Sequence, residues 1–243
     1  LKSRGLGDVY KRQPMTSMAE KSAVIRMFHV HKRYGAKQAL VDATLDIAKN
    51  EFLFISGPSG AGKSTLLRLL YLAEPVSEGQ ILVDGMNLSR IPRRRIPMLR
   101  RKFGIIFQDY KLIPTRTVYE NVALVLEVRG NKRSLIEKKV KSVLRVVGME
   151  DRMTAYPPSL SGGEQQRVAV ARAVAGDPKI ILADEPTGSL DDESAATIFE
   201  LLNMFYNRGA TVVVATHDKT LIENATGRVL QIRQGRLETP PDI

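Results

Sequence analysis

Hydrophobic positions along this chain follow two periods and predict an alternation of strands and helices. Residues 24–30 (VIRMFHV) and the imperfectly alternating 41–47 predict two strands, with Tyr34 in a short turn after the first, Lys32-Arg33-Tyr34-Gly35. Three continuous apolar runs, 52–55, 179–183 and 211–215, predict strands buried on both faces. Shorter strand candidates are Ile81-Leu82-Val83, closed by Asp84-Gly85, then Gly104-Ile105-Ile106-Phe107, ended by Gln108, and 229–232. Helical spacing joins Ile136, Val140, Val143, Leu144 and Val147, and again Ile198, Leu201, Leu202 and Phe205. Residues 117–128 are mostly helix formers. Ser134-Leu135-Ile136-Glu137 reads as a capping box, and Gly148 stands where a helix would stop. Pro157-Pro158 breaks the chain, so 113–158 reads as a helical lobe inserted into an α/β protein. Alternating strands and helices predict a mostly parallel sheet covered on both faces, without internal repeats.

One glycine-rich stretch interrupts this pattern, Gly57-Pro58-Ser59-Gly60-Ala61-Gly62-Lys63-Ser64-Thr65. It lies between the strand at 52–55 and the apolar positions Leu66, Leu67, Leu69 and Leu70. Strand, tight turn and helix in that order fill every position of the phosphate-binding pattern G-x-x-x-x-G-K-[ST]. Glycines let successive N–H groups curl around phosphate oxygens, and the helix start adds positive potential. Lys63 is expected to reach the β- and γ-phosphates of ATP, and Ser64 to coordinate Mg²⁺.

Composition excludes several classes. The 243 residues are 43% hydrophobic and 26% charged, as in ordinary globular proteins. There is no cysteine, which rules out disulfides and cysteine-bound metals and fits a reducing compartment. No apolar run is long enough to span a membrane, and the N-terminus has no signal-peptide core, so a cytoplasmic location is expected. The net charge is +11, part of it in residues 1–13. Asp8-Val9-Tyr10-Lys11-Arg12-Gln13 looks like a translated library adapter. Residues 1–14 therefore read as a non-native or disordered tail, with the native start expected at Met15 or Met18. The remaining excess of +8 suits an acidic or membrane-proximal partner; charge alone is weak support for nucleic acid. Seven basic residues within 90–102 form either a solvated helix face or a face for phospholipid head groups or an acidic partner.

The phosphate loop does not stand alone. Leu160-Ser161-Gly162-Gly163-Glu164-Gln165-Gln166 begins a second glycine-rich helix start, with Ser161 98 residues after Lys63. Asp184-Glu185 closes the strand at 179–183, and His217 follows Asp184 by 33 residues. This set resembles the nucleotide-binding domain of ABC ATPases over about 22–238, with 239–243 as a tail. In the roles that the resemblance implies, Asp184, at the end of a buried strand, would hold Mg²⁺ through water, and Glu185 looks like the base on the attacking water. The resemblance implies an α/β P-loop NTPase fold, an ABC-type RecA-like core with an antiparallel β subdomain and an inserted helical subdomain. It also implies head-to-tail homodimers on ATP binding, each nucleotide lying between Lys63 of one subunit and Ser161, Gly162, Gly163 and Glu164 of the other. Tyr34 resembles the residue that stacks on adenine, Gln108 the hinge glutamine sensing Mg²⁺ and the γ-phosphate, and His217 the switch histidine. Ser189-Leu190-Asp191 resembles the loop linking the two sites, with Ser189 where relatives commonly carry Asn.

The stretches 99–109 (LRRKFGIIFQD) and 117–123 (TVYENVA) resemble the cell-division branch of that family. This implies an FtsX-like polytopic membrane partner, control of peptidoglycan hydrolases, and a peripheral place on the cytoplasmic face of the inner membrane. Lipoprotein-release and macrolide or peptide-export ATPases share DEPTG and the overall plan, and stay open as alternatives. ABC ATPases of DNA repair and translation carry two nucleotide domains or long insertions, and this chain shows neither, so no direct nucleic-acid partner is expected. Intact Lys63, Asp184, Glu185 and His217 argue against a non-hydrolysing interaction protein.

Overall fold

A computed structural model describes residues 22–218, 221–222 and 227–238. The tails expected over 1–14 and 239–243 lie outside the described residues. Strands β1 (Ala23–Tyr34), β2 (Lys37–Ala48), β4 (Glu78–Val83) and β5 (Met86–Asn87) form an antiparallel sheet in the order β2-β1-β4-β5. The second sheet, of six strands, runs β10-β9-β3-β8-β7-β6. Its members are β3 (Phe52–Ser56), β6 (Phe103–Ile106), β7 (Ile180–Asp184), β8 (Thr211–Thr216), β9 (Arg228–Arg233) and β10 (Arg236–Glu238). All its pairings are parallel except β9 with β10.

The buried runs in β3, β7 and β8 follow from their central place. Side chains alternate across a strand, so Leu53 and Ile55 enter one core while Phe52 and Phe54 enter the other. The first core packs the sheet against α1 (Lys63–Leu70), through Leu66 and Leu69, and against Ile25, Met27 and Ile47 of the antiparallel sheet. The second core gathers α3 (Val118–Val128), α4 (Arg133–Val146), α5 (Gly162–Val174) and α6 (Asp192–Asn207). Val122, Val140, Leu144, Val168, Ile198 and Leu202 supply its helical side. Phe52 and Phe54 stack with ring centroids 4.9 Å apart, and Phe199 of α6 lies 5.8 Å from each.

Some boundaries differ from the sequence reading. Tyr34 is the last residue of β1, not part of a turn, because its backbone pairs with Lys37 across the hairpin. Phe107 falls just outside β6. Ser134 does not cap α4. The helix begins one residue earlier, with Leu135 N and Ile136 N both donating to Lys132 O, and Glu137 pairs with Lys141 at 2.8 Å instead. The capping boxes lie at Thr117–Glu120, opening α3, and at Ser161–Glu164, opening α5. The basic stretch folds as a 3₁₀ turn, Arg93–Arg95, and a five-residue helix, α2 (Ile96–Arg100). Part of its charge is structural: Arg100 donates to Leu72 O at 2.9 Å and Arg101 to Val128 O at 3.1 Å. β10 went unread in the sequence, its three residues being too short to show a period.

The loop before α3 hangs on one buried side chain. Asn121 Oδ1 accepts from Ile113 N at 2.8 Å, and its Nδ2 donates to Ile113 O, Arg116 O and Thr117 O at 3.1, 3.0 and 2.9 Å. Truncation would take the side-chain partner from Ile113 N and Arg116 O, while Ile113 O keeps Arg116 N at 3.1 Å and Thr117 O keeps Asn121 N at 2.9 Å. Asn121→Ala is expected to destabilise the fold by about 2 kcal/mol and lower the unfolding midpoint by roughly 4–8 °C. Calorimetry with an unchanged midpoint would show that water replaces the side chain.

Candidate functional site

The C-terminal ends of β3, β7 and β8 converge, as ligand sites do in parallel sheets. β3 ends in the glycine-rich loop, β7 in Asp184-Glu185 and β8 in His217. Gly62 is the N-cap of α1 with φ 117°, and a Cβ there would stand 2.4 Å from Ala39 O. Only glycine fits that turn and that approach.

Lys63 is buried and folded back on the loop, donating to Gly57 O at 2.7 Å and to Pro58 O at 3.3 Å. Its Nζ also lies 3.0 Å from Glu185 Oε1. The other oxygen of Glu185 lies 2.9 Å from His217 Nδ1 and accepts from His217 N at 3.3 Å. Burial pushes the Glu185 carboxyl up, but the hydrogen bonds from His217 and Lys63 outweigh it and hold the group below its ordinary value. Glu185 is held at φ 47°, a left-handed conformation unusual for a glutamate, while its N–H donates to Ala215 O at 2.8 Å. Strain of this kind collects at functional sites.

Ser64 Oγ donates to Asp184 Oδ1 at 2.8 Å, joining residues 120 positions apart. Burial pushes the Asp184 carboxyl up, and the neighbouring charge of Glu185 adds to this against the hydrogen bond from Ser64. The two adjacent carboxylates are thus driven in opposite directions.

A cavity of about 390 Å³ is lined by Tyr34, Ser59, Lys63, Thr65, Glu185 and His217, with Gly60, Gly62, Ser64 and Gln108. Ser64 and Gln108 also line an adjacent cavity of about 310 Å³, with Asp184. Ala61, within the loop, is buried. Lys37 and Ala39 line the first cavity too. Sequence reasoning missed both, although the hairpin that pairs Lys37 with Tyr34 was the available signal.

The second glycine-rich helix start lies elsewhere. Ser161 Oγ accepts from Glu164 N at 3.2 Å, and Glu164 Oε2 accepts from Ser161 N at 2.8 Å. A Cβ on Gly163 would come 2.4 Å from Ser194 Oγ of α6, so glycine lets the two helix starts abut. Asp191 caps α6 through Ser194 N at 2.8 Å, Ser189 Oγ lies 3.2 Å from Tyr110 Oη, and Leu190 packs on the second core. None of Ser161 to Glu164 or Ser189 to Asp191 lines either cavity.

A parallel sheet feeding a glycine-rich loop into a helix, with a serine–aspartate pair and a second carboxylate at the next strand ends, defines a P-loop nucleoside triphosphatase. The ABC transporter family profile matches residues 40–188. The cell division ATP-binding protein FtsE of Escherichia coli K12 is 45% identical over 215 residues, 88% of this chain and 97% of that protein. FtsE of Streptococcus pneumoniae D39 is 43% identical over 216 residues, 88% of this chain and 94% of that one. Among solved structures, a dimeric ABC transporter cassette superimposes with a TM-score of 0.82 at 34% identity, covering 90% of this chain and all of that one. A post-hydrolysis dimer of that cassette with ADP and phosphate gives 0.81 at 33%, covering the same shares. The chain belongs to the ABC transporter family, as an ATP-binding ATPase.

The opposed carboxylates give a pH signature. Because its folded pKa is raised, the proton on Asp184 stabilises the fold fully below the unfolded value, and this contribution is lost as pH rises through the folded one. Glu185 has the opposite sign: its stabilisation is present above the unfolded value and is lost as pH falls through the lowered folded one. Asp184→Asn keeps an acceptor for Ser64 and removes the buried charge. Without nucleotide and metal the variant is expected to melt above the wild type at pH 7, the gap closing as pH falls toward 4. A lower midpoint at pH 7 would contradict this balance.

Proposed function

We propose that this ATPase is the nucleotide-driven subunit of a cell-division complex of the FtsEX kind, bound to an FtsX-like polytopic membrane protein. The observation that carries the reading is the 43–45% identity to FtsE proteins over 88% of the chain. No helix among the described residues is long and apolar enough to cross a membrane, so on this reading a separate partner supplies the span. The protein then works as a peripheral subunit on the inner face of the membrane. ATP-driven dimer closure signals through the partner to peptidoglycan hydrolases.

The residues fit Mg²⁺–ATP by their chemistry. Ser64, Gln108 and Asp184 offer only oxygen donors, as Mg²⁺ requires, with Asp184 acting through water. When bound, Mg²⁺ supplies charge that neutralises the phosphoryl group under transfer. Gly57 to Thr65 form the cradle. Lys63, now shared between loop carbonyls and Glu185, turns its ammonium to the β- and γ-phosphates. That exchange removes one of the two groups that hold the Glu185 carboxyl down, so that Glu185 becomes a better base for the attacking water. His217 holds the freed carboxylate from its other side and reaches the γ-phosphate. Tyr34 stacks on the adenine. Ser161, Gly162, Gly163 and Glu164 complete the site of a second copy, and Ser189, Leu190 and Asp191 link the two sites. Their absence from either cavity supports this assignment to the opposite subunit.

Glu185→Gln is expected to cut ATP turnover by roughly 10²–10⁴ while retaining ATP binding. Unchanged turnover in a phosphate-release assay would remove Glu185 from the role of base. Affinity capture from the organism's own membranes, with and without ATP, tests the partner. A four-span protein with a large extracytoplasmic loop is expected. A lipoprotein-release or export permease would move the function to transport, and nucleic acid or ribosomes would overturn the membrane reading.

A further inference from the structure

Glu74 follows α1 in the sequence Ala73-Glu74-Pro75, and no motif marks it. Its carboxylate nevertheless joins three side chains. Glu74 Oε2 accepts a short hydrogen bond from Tyr34 Oη and lies 3.2 Å from Lys32 Nζ. Oε1 faces Arg68 at 3.8 Å, and Arg68 belongs to α1, the helix that the phosphate loop feeds. Lys32 is only 8% exposed and donates to Pro75 O at 3.0 Å. Its ammonium sits 4.8 Å from the centroid of the Tyr34 ring. Tyr34 lines the nucleotide-sized cavity, whereas Lys32 and Glu74 do not. A buried cation thus lies over the ring of a residue that also lines the cavity.

We propose that Glu74 and Lys32 are positioning residues for nucleotide binding: they fix the Tyr34 ring against the phosphate-loop helix, so that a base stacks on it while the phosphates lie in the loop. The proposal rests on the reading of Tyr34 as the stacking residue. An untethered ring that is 41% exposed would have to be ordered on binding, and ordering a side chain weakens affinity. Here the ring is ordered beforehand. The electrostatics agree: the hydrogen bond from Tyr34 is the largest influence holding the Glu74 carboxyl below its ordinary value, and burial, with Glu74, pushes the phenol up.

The tether acts only on ligands that carry a base, which separates it from general support of the loop. Binding of ATP and of inorganic tripolyphosphate is measured by calorimetry for the wild type, Glu74→Ala, Tyr34→Phe and Tyr34→Ala. Glu74→Ala is expected to weaken ATP by about three- to tenfold and leave tripolyphosphate unchanged. Tyr34→Phe, which keeps the ring and loses the tether, shifts ATP in the same direction by less. It decides the matter if Glu74→Ala fails to fold. Equal losses for both probes overturn the proposal, because Glu74 would then support the phosphate loop. No loss in Glu74→Ala or Tyr34→Phe while Tyr34→Ala weakens ATP also overturns it, and leaves the stacking role of Tyr34 standing. No loss of ATP affinity in Tyr34→Ala removes that role and the proposal with it.

Discussion

The buried pair of Lys63 and Glu185 is the constraint from which the site follows. Each ion has lost most of its water, so each must find a full set of partners. Lys63 takes two carbonyls of its own loop, and Glu185 takes the ring and backbone N–H of His217. Three strand ends are thereby tied together by charges that hydrophobic packing alone would not orient. The left-handed backbone of Glu185 belongs to the same arrangement, since its N–H prolongs the pairing of β7 with β8 while its side chain turns toward Lys63.

On the proposed reading, the pair also sets what the nucleotide's phosphates do on entry. Lys63 is the most buried cation facing the cavity, and a phosphate competes with Glu185 for it. Binding and release of the carboxylate are then one event. On the proposed reading, Glu185, held below its ordinary pKa by His217 and Lys63 before the nucleotide arrives, gains basicity when the ammonium is drawn away, which couples catalytic readiness to occupancy. Asp184 stands ready in the other sense: its charge is poorly tolerated without a cation and is stabilised by one.

Much of this was legible in the chain. The apolar runs at β3, β7 and β8 are continuous because both faces of the central sheet are covered, and the motif residues sit at their ends, where a change from apolar to polar is easy to see. Local motifs were less reliable guides to helix starts. Ser134-x-x-Glu137 has capping-box spacing, yet α4 starts ahead of it, whereas Thr117 and Ser161 are true caps. Spacing permits a cap; the backbone before the helix decides whether it forms. Glu74 and its contact with Lys32 were illegible for another reason. Their roles come from long-range approach, and nothing local in the sequence ties residue 74 to residue 34.

The second glycine-rich helix start stands apart from both cavities of its own chain. In Ser161 the hydroxyl and backbone N–H are engaged by Glu164, so the cap is finished without a ligand, while Gly162 and Gly163 are accounted for by the close approach of Tyr110 and Ser194. A capped helix start that lines neither cavity adds no side chain to either. On the proposed reading its completed cap has a use. Closure of two copies then costs little ordering on the signature side, and the ordering that remains lies with the nucleotide and with Lys63, which must give up Glu185 first. The equilibrium between open and closed dimers is therefore biased by the same exchange that frees the base, so that hydrolysis and the mechanical signal share one trigger.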